Sequence, residues 1–329
     1  MKKGFFAAFL CALIMVLLPA AVYAMDGTGT EDNPYQISSA DDLEEFRDIV
    51  NDDETGACAE LTANIVLNDD VLNSDGSLNE EKASTFEEWT PIGSESNRYT
   101  GTFDGNGKTI SGIYINTDED NQGLFGCIGD INKSGTGTVK NLGIEDSWIS
   151  GGDNVGGIAG YSSWGMENCY NTGSISGGDN VGGISGQNIS GMIRNCYNTG
   201  SISGGSNVGG IVGNSSDVSG ISGGGVTGCH NDGTVIGSGS NIGGILGNGA
   251  RNSAISKCYN TGSVSSSGKG PVAGIAGGIV FGTSNCYNTG TISGEEAYGI
   301  TAGNLSGVWN SYNIGKVDGR AISGSHEMT

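Results

Sequence analysis

"NCYNTGSISGGDNVGGIS" occupies Asn168–Ser185, and from Asn195 to Val212 the chain reads "NCYNTGSISGGSNVGGIV". The two stretches differ only at Asp179/Ser206 and Ser185/Val212. Aligned on the cysteine, the same phrase recurs at Leu142, Cys169, Cys196, Cys229, Cys258, Cys286 and Ser311, at intervals of 27, 27, 33, 29, 28 and 25 residues. A period in this range marks a solenoid, propeller or array. The surplus residues fall in glycine-serine stretches such as Ser215–Gly225, where a loop can bulge outward.

Every unit follows one grammar. An apolar residue usually stands three before the cysteine position: Val139, Met166, Ile193, Val226, Ile255, Thr283, Val308. Another stands six after it: Ile175, Ile202, Val235, Val264, Ile292, Val317. Two more bracket "VGGI", as in Val155/Ile158, Val181/Ile184, Val208/Ile211 and Ile242/Ile245. Short β-branched runs of this kind read as strands, and Gly and Asn supply corners that need left-handed backbone angles. No segment of the repeat holds a helical period, and a propeller blade needs about 40 residues. About 28 residues with three short strands fit one coil of a parallel β-helix, in which like residues stack about 4.8 Å apart.

Stacking turns each position into a ladder. Asn171, Asn198, Asn231, Asn260, Asn288 and Asn313 are expected to hydrogen-bond from coil to coil at a corner. Cys169, Cys196, Cys229, Cys258 and Cys286 are expected to point inward as small apolar groups. Parallel in-register neighbours keep their β-carbons near the strand spacing, wider than the roughly 3.8 Å a disulfide prefers, so these thiols are expected to be mostly free. A Cys58–Cys127 bridge stays open. If cysteine points in, the next residue points out. Tyr170, Tyr197, His230, Tyr259, Tyr287 and Tyr312 then form an outer aromatic column. Such a column either binds a sugar or a protein partner, or the rings stack on one another and only stabilise the ladder.

Before the repeat, Met1–Ala24 has a basic start, an apolar stretch and a small-residue cleavage site, which reads as a secretory signal peptide. The alternative is an uncleaved anchor; a lipoprotein reading through Cys11 fails because Cys11 lies inside the apolar run. The mature chain is thus expected to be exported, extracellular or at the cell surface, with no integral membrane segment after cleavage. No C-terminal sorting motif follows Gly319, and Thr329 comes soon after a coil begins. The chain divides into the signal peptide (1–24), an acidic cap with early coils (25–137) and about seven repeat coils (138–329). Within the cap region Ser39 precedes an amphipathic stretch bearing Leu43, Phe46, Ile49 and Val50, expected to form a helix over 38–52 that covers the open end of the solenoid. Strands are expected at Glu60–Leu67 and Gly101–Asn116, the latter broken by a turn at Asp104–Gly107. Gly123–Gly129 reads as an early coil.

Of 329 residues, 62 are glycine, and the net charge is −22. Residues 25–147 carry 27 acidic and 6 basic side chains, against 9 and 6 in 148–329. No basic stripe serves nucleic acid, and an anionic membrane repels such a surface.

"GTFDGNGKTISGI" (Gly101–Ile113), "GLFG" (Gly123–Gly126), "VKNLGI" (Val139–Ile144) and the recurring "VGGI…NCYNTGSISG" resemble the bacterial GLUG-repeat proteins, from about Gly29 to the C-terminus. The resemblance implies an all-β, right-handed parallel β-helix in secreted or cell-surface proteins, including adhesin-like chains. It supplies no catalytic motif.

The residues suggest none either. The two histidines, His230 and His326, have no nucleophile context. Asp153 and Asp179 stack on adjacent coils, as the paired acids of a polysaccharide lyase or glycosidase on a β-helix scaffold would. The series continues as Ser206 and Ser240, however, and Arg194, Arg251 and Lys257 do not repeat beside it. Asp69, Asp70, Asp75, Glu80 and Glu81 make a loose oxygen-ligand set for calcium, but the stretch fails the EF-hand spacing. The threonines Thr172, Thr199, Thr261 and Thr289 form a weak ice-binding candidate, interrupted by Asp232 and Ile314. Binding or spacing without catalysis, with a glycan or protein at a cell surface, is therefore the leading expectation; a carbohydrate-active enzyme is the alternative. Neither requires a cofactor.

Overall fold

A computed structural model describes residues 25–130, 137–216, 225–250 and 253–319. The signal segment Met1–Ala24, most of the Ser215–Gly225 insert, Arg251 and His326 lie outside the described residues. The chain winds as a parallel β-helix. Its strands build sheets of 17, 7, 8 and 6 strands, and the named strand pairings run parallel between successive coils.

One coil shows how the repeat does this. Met166–Glu167 and Tyr170–Asn171 belong to the 17-stranded sheet, Ser174–Ser176 to the 8-stranded, Val181–Gly182 to the 6-stranded and Ser185–Ile189 to the 7-stranded one. The coils between Met166 and Asn304 each have five short strand segments where the sequence suggested three, while in the coil before them Thr138–Glu145 runs as one strand. The extra breaks come from Asn168 and Asn180, both left-handed at φ 55° and 60°, which bend the chain inside stretches that look continuous in sequence. The register matches the alignment: Tyr170 pairs with Tyr197, Val181 with Val208 and Ile175 with Ile202.

The core is a narrow file of stacked apolar side chains. Val139, Met166, Ile193, Val226 and Ile255 are buried on one side; Ile175, Ile202, Val235, Val264 and Ile292 are buried on another. A single coil buries almost nothing alone, so stability comes from the interfaces between coils.

At the N-terminal end, helix α1 (Ala40–Asn51) starts at Ser39, whose hydroxyl accepts from the Asp42 amide at 3.2 Å. Leu43, Phe46 and Val50 are fully buried, and Ile49 packs half-buried beside them. The Phe46 ring lies 5.7 Å from Phe103 and 6.0 Å from Tyr99. Burying three such side chains contributes about 1.5–3 kcal/mol each and closes the apolar file. Asp104–Gly107 is not a strand-breaking turn. The strand runs from Thr102 to Ser111, with Asn106 and Gly107 bulged at φ 51° and 72° and the register slipping between Asp104/Lys140 and Lys108/Leu142. Phe125–Ile128 is an early coil strand, pairing in register with Ala159–Ser162.

Candidate functional site

The outer face of the 17-stranded sheet is set by the residues behind it. The five ladder cysteines are at most 1% exposed. Each sulfur lies near the carbonyl two residues before it, for example Cys196 Sγ to Arg194 O at 3.2 Å. All seven described cysteines are free, so Cys58 and Cys127 are not bridged. Burial raises the Cys127 thiol to about 11 and pushes Cys196 well above the usual thiol range, which leaves these groups uncharged and unreactive near neutral pH.

With cysteine inward, the following residue faces out. Tyr170, Tyr197, His230, Tyr259, Tyr287 and Tyr312 form one uninterrupted stack, with ring centroids 4.7, 5.0, 4.6, 4.9 and 5.5 Å apart and ring planes within 9° of parallel. The rings therefore cover one another's faces. What they present to solvent is a file of ring edges and phenol hydroxyls. The file ends sharply at its upper end. The Tyr170 ring lies against Gly143, where a β-carbon would collide with it, and its hydroxyl donates to Glu145 Oε1 at 2.6 Å. Burial and this hydrogen bond hold the Tyr170 hydroxyl protonated well beyond the ordinary tyrosine range. The file faces outward, and its rings stack on one another.

His230 is the one imidazole in the file. Burial between its neighbours lowers its pKa, and Asp232, with its carboxylate 3.8 Å from Nε2, works in the opposite direction. A depressed pKa means that the unfolded chain binds the proton more readily. The contribution of neutral His230 is then present above about pH 6.5 and lost as pH falls through the folded value. His230→Tyr is expected to raise stability by about 0.5–1 kcal/mol by placing a larger ring in the stack, and to flatten the loss of stability between neutral and mildly acidic pH. Urea melts of both proteins at the two pH values measure this.

Directly behind the file, Asn171, Asn198, Asn231, Asn260 and Asn288 are fully buried. Each Nδ2 donates to the Oδ1 of the next coil, at 2.8, 2.8, 2.8, 2.7 and 2.6 Å, the last reaching Asn313. The same nitrogens also donate to the carbonyl two residues on, such as Gly233 O at 3.0 Å from Asn231. Two further asparagine files escaped the sequence reading. Asn141, Asn168 and Asn195 form one, at 2.9 and 3.3 Å. Asn121, Asn154, Asn180, Asn207 and Asn241 form the other, at 3.0, 2.9, 2.9 and 2.9 Å. All eight have positive φ. The signal was present as asparagine preceding cysteine and asparagine preceding "VGG" or "IGG" in successive repeats.

Asp153 and Asp179 are taken up in corner hydrogen bonds. Asp153 Oδ1 accepts from the Asp179 amide at 2.8 Å, and Asp179 Oδ1 from the Ser206 amide at 2.7 Å. They are corner groups joining coils. Arg194 and Lys257 lie on the 17-stranded sheet and at its corner, in another part of the coil. In the acidic loop Asp70 pairs with Lys82 at 2.6 Å and Asp75 takes the Ser77 hydroxyl at 2.6 Å. Among the described residues no three His, Cys, Asp or Glu side chains are grouped to hold a metal. Thr172, Thr199, Thr261 and Thr289 stand exposed beside the aromatic file, with Asp232 accepting from Thr261 at 2.6 Å.

These ladders define a parallel β-helix repeat protein with one continuous outer aromatic file. The family model for the GLUG motif matches residues 177–203. The chain is 32% identical over 155 residues to a protein of Evansella cellulosilytica named "Putative Gly-rich membrane protein", a match covering 44% of this chain and 16% of that one. It is 31% identical over 158 residues to halomucin of Haloquadratum walsbyi, covering 47% of this chain and 2% of halomucin. The chain thus spans less than a fifth of the length of either relative. Among solved structures, a Bacteroides ovatus protein named "putative immunoglobulin A1 protease" superimposes with a TM-score of 0.59 over 92% of this chain and 83% of that one. At 20% identity that likeness concerns the fold alone.

Proposed function

We propose that this chain is an exported or cell-surface β-helix that binds a glycan or protein partner along one side and does not catalyse a reaction. The observation that carries the reading is the outward file of six stacked rings running through six successive coils. Repeat solenoids use extended faces of this kind for binding. The named relatives, a membrane protein and a halomucin, support a place at the surface. The acids of the corners and the thiols of the interior are occupied in joining coils, so the face offers rings and hydroxyls for contact.

The test is a glycan and protein array probed with the mature chain and with the double variant Tyr197→Ala/Tyr259→Ala. The wild type is expected to give a signal that the double variant loses by about tenfold or more, since aromatic anchors dominate contact energies. Equal signals from the two proteins would remove the file from the binding surface.

A further inference from the structure

Which ligand suits this face follows from how the rings are spent. A sugar or aromatic group that docks flat needs an open ring face, and between Tyr170 and Tyr312 the faces are packed against each other at 4.6–5.5 Å. The groups left for a ligand are ring edges and hydroxyls. The hydroxyls of Tyr197, Tyr259 and Tyr287 make no hydrogen bond to any described residue, so donor and acceptor capacity repeats along the axis at the coil pitch. Two residues further on, the exposed threonine hydroxyls repeat at the same pitch. Where the file changes from tyrosine to His230, the threonine file changes in the same coil to Asp232, and polar capacity is kept in both.

We infer that the ligand is an extended β-linked polysaccharide lying along the solenoid axis, read through ring edges and hydroxyls at about one sugar per coil. This rests on the reading of the file as a binding surface. An extended β-1,4-linked chain advances per sugar by close to the 4.6–5.5 Å between successive rings, and because alternate sugars are flipped about the chain axis, every sugar turns one of its hydroxyl-bearing edges to the file. A peptide in strand form advances by about 3.3 Å per residue and falls out of step with the file. Such a peptide also binds through a sheet edge, whereas this file stands on a sheet face whose backbone groups are already paired between coils. Nucleic acid is repelled by the excess negative charge of the chain.

Calorimetric titration with cello-, xylo- and chito-oligosaccharides, from disaccharide to octasaccharide, tests the inference. The wild type is expected to bind one series more tightly with each added sugar up to about six, the number of stacked rings. The triple variant Tyr197→Phe/Tyr259→Phe/Tyr287→Phe keeps the rings and removes the hydroxyls. It is expected to bind about tenfold or more weakly at an unchanged urea midpoint, because each lost hydroxyl forfeits one net hydrogen bond. Full affinity in the triple variant, or a disaccharide bound as tightly as the octasaccharide, overturns the inference. A protein ligand on the array that depends on Tyr197 and Tyr259, with no glycan bound, overturns the inference and leaves the binding reading standing. A silent array overturns both.

Discussion

Asn231→Ala is expected to destabilise the fold by about 3–4 kcal/mol, more than any single change in the aromatic file. The substitution removes three hydrogen bonds in a site with no solvent exposure: from Nδ2 to Gly233 O, from Nδ2 to Asn260 Oδ1, and from Asn198 Nδ2 to the Asn231 oxygen. A typical hydrogen bond contributes only about 1 kcal/mol net, but a buried group left without a partner costs about 1–3 kcal/mol, and this change orphans one on each neighbouring coil. A stacked ring pair at the surface contributes about 0.5–1.5 kcal/mol beyond its area, so the asparagine file outweighs the tyrosine file in stability. Asn231→Asp should fare no better, since a carboxylate cannot donate to Asn260. Urea unfolding measures the loss; a change under about 1 kcal/mol would mean that water satisfies the gap.

The second large effect is expected at Gly233→Ala. The coils turn at Gly200, Gly233, Gly262, Gly290 and Gly315, and at each a β-carbon would land on the carbonyl oxygen of the glycine one coil earlier: Gly173, Gly200, Gly233, Gly262 and Gly290 respectively. The colliding atom is backbone, which cannot rotate away. Accommodation requires the coils to part, breaking the ladders on both sides, so the expected cost is about 3 kcal/mol or more. Gly56→Ala is the control: a β-carbon there meets only the Thr100 hydroxyl, at 3.8 Å. It should be neutral or stabilising by up to about 1 kcal/mol. Equal effects at Gly233 and Gly56 would show that the close approach is not what selects glycine at the turns.

Much of this architecture could be read in advance because a solenoid converts sequence period directly into spatial neighbourhood. The interval from Cys169 to Cys196 is enough to place Tyr170 beside Tyr197 and Asn171 beside Asn198, and both pairs are found. The capping helix was readable for a local reason: Ser39 and the spacing of Leu43, Phe46 and Val50 specify it without reference to the coils. Other features were hidden. Asn168 and Asn180 look like any turn asparagine until their left-handed angles and coil-to-coil hydrogen bonds are seen. The bulge at Asn106–Gly107 reads locally as a hairpin turn. It stays within a strand because Asp104 and Ser111 are both held by the neighbouring strand at Lys140 and Glu145.

By itself, the sequence determined which residues lie over which, because aligning the repeated phrase on its cysteine position leaves only one stacking register. It also determined the sign of each position, inward for Cys229 and outward for His230, since strand neighbours alternate. Only the tertiary structure decided how the outward rings meet. A tyrosine on a sheet face can lie flat for a ligand or turn onto its neighbour. Here the coil pitch puts successive centroids 4.7–4.9 Å apart, within the range of offset stacking, so the rings close on one another and leave their edges and hydroxyls to the solvent.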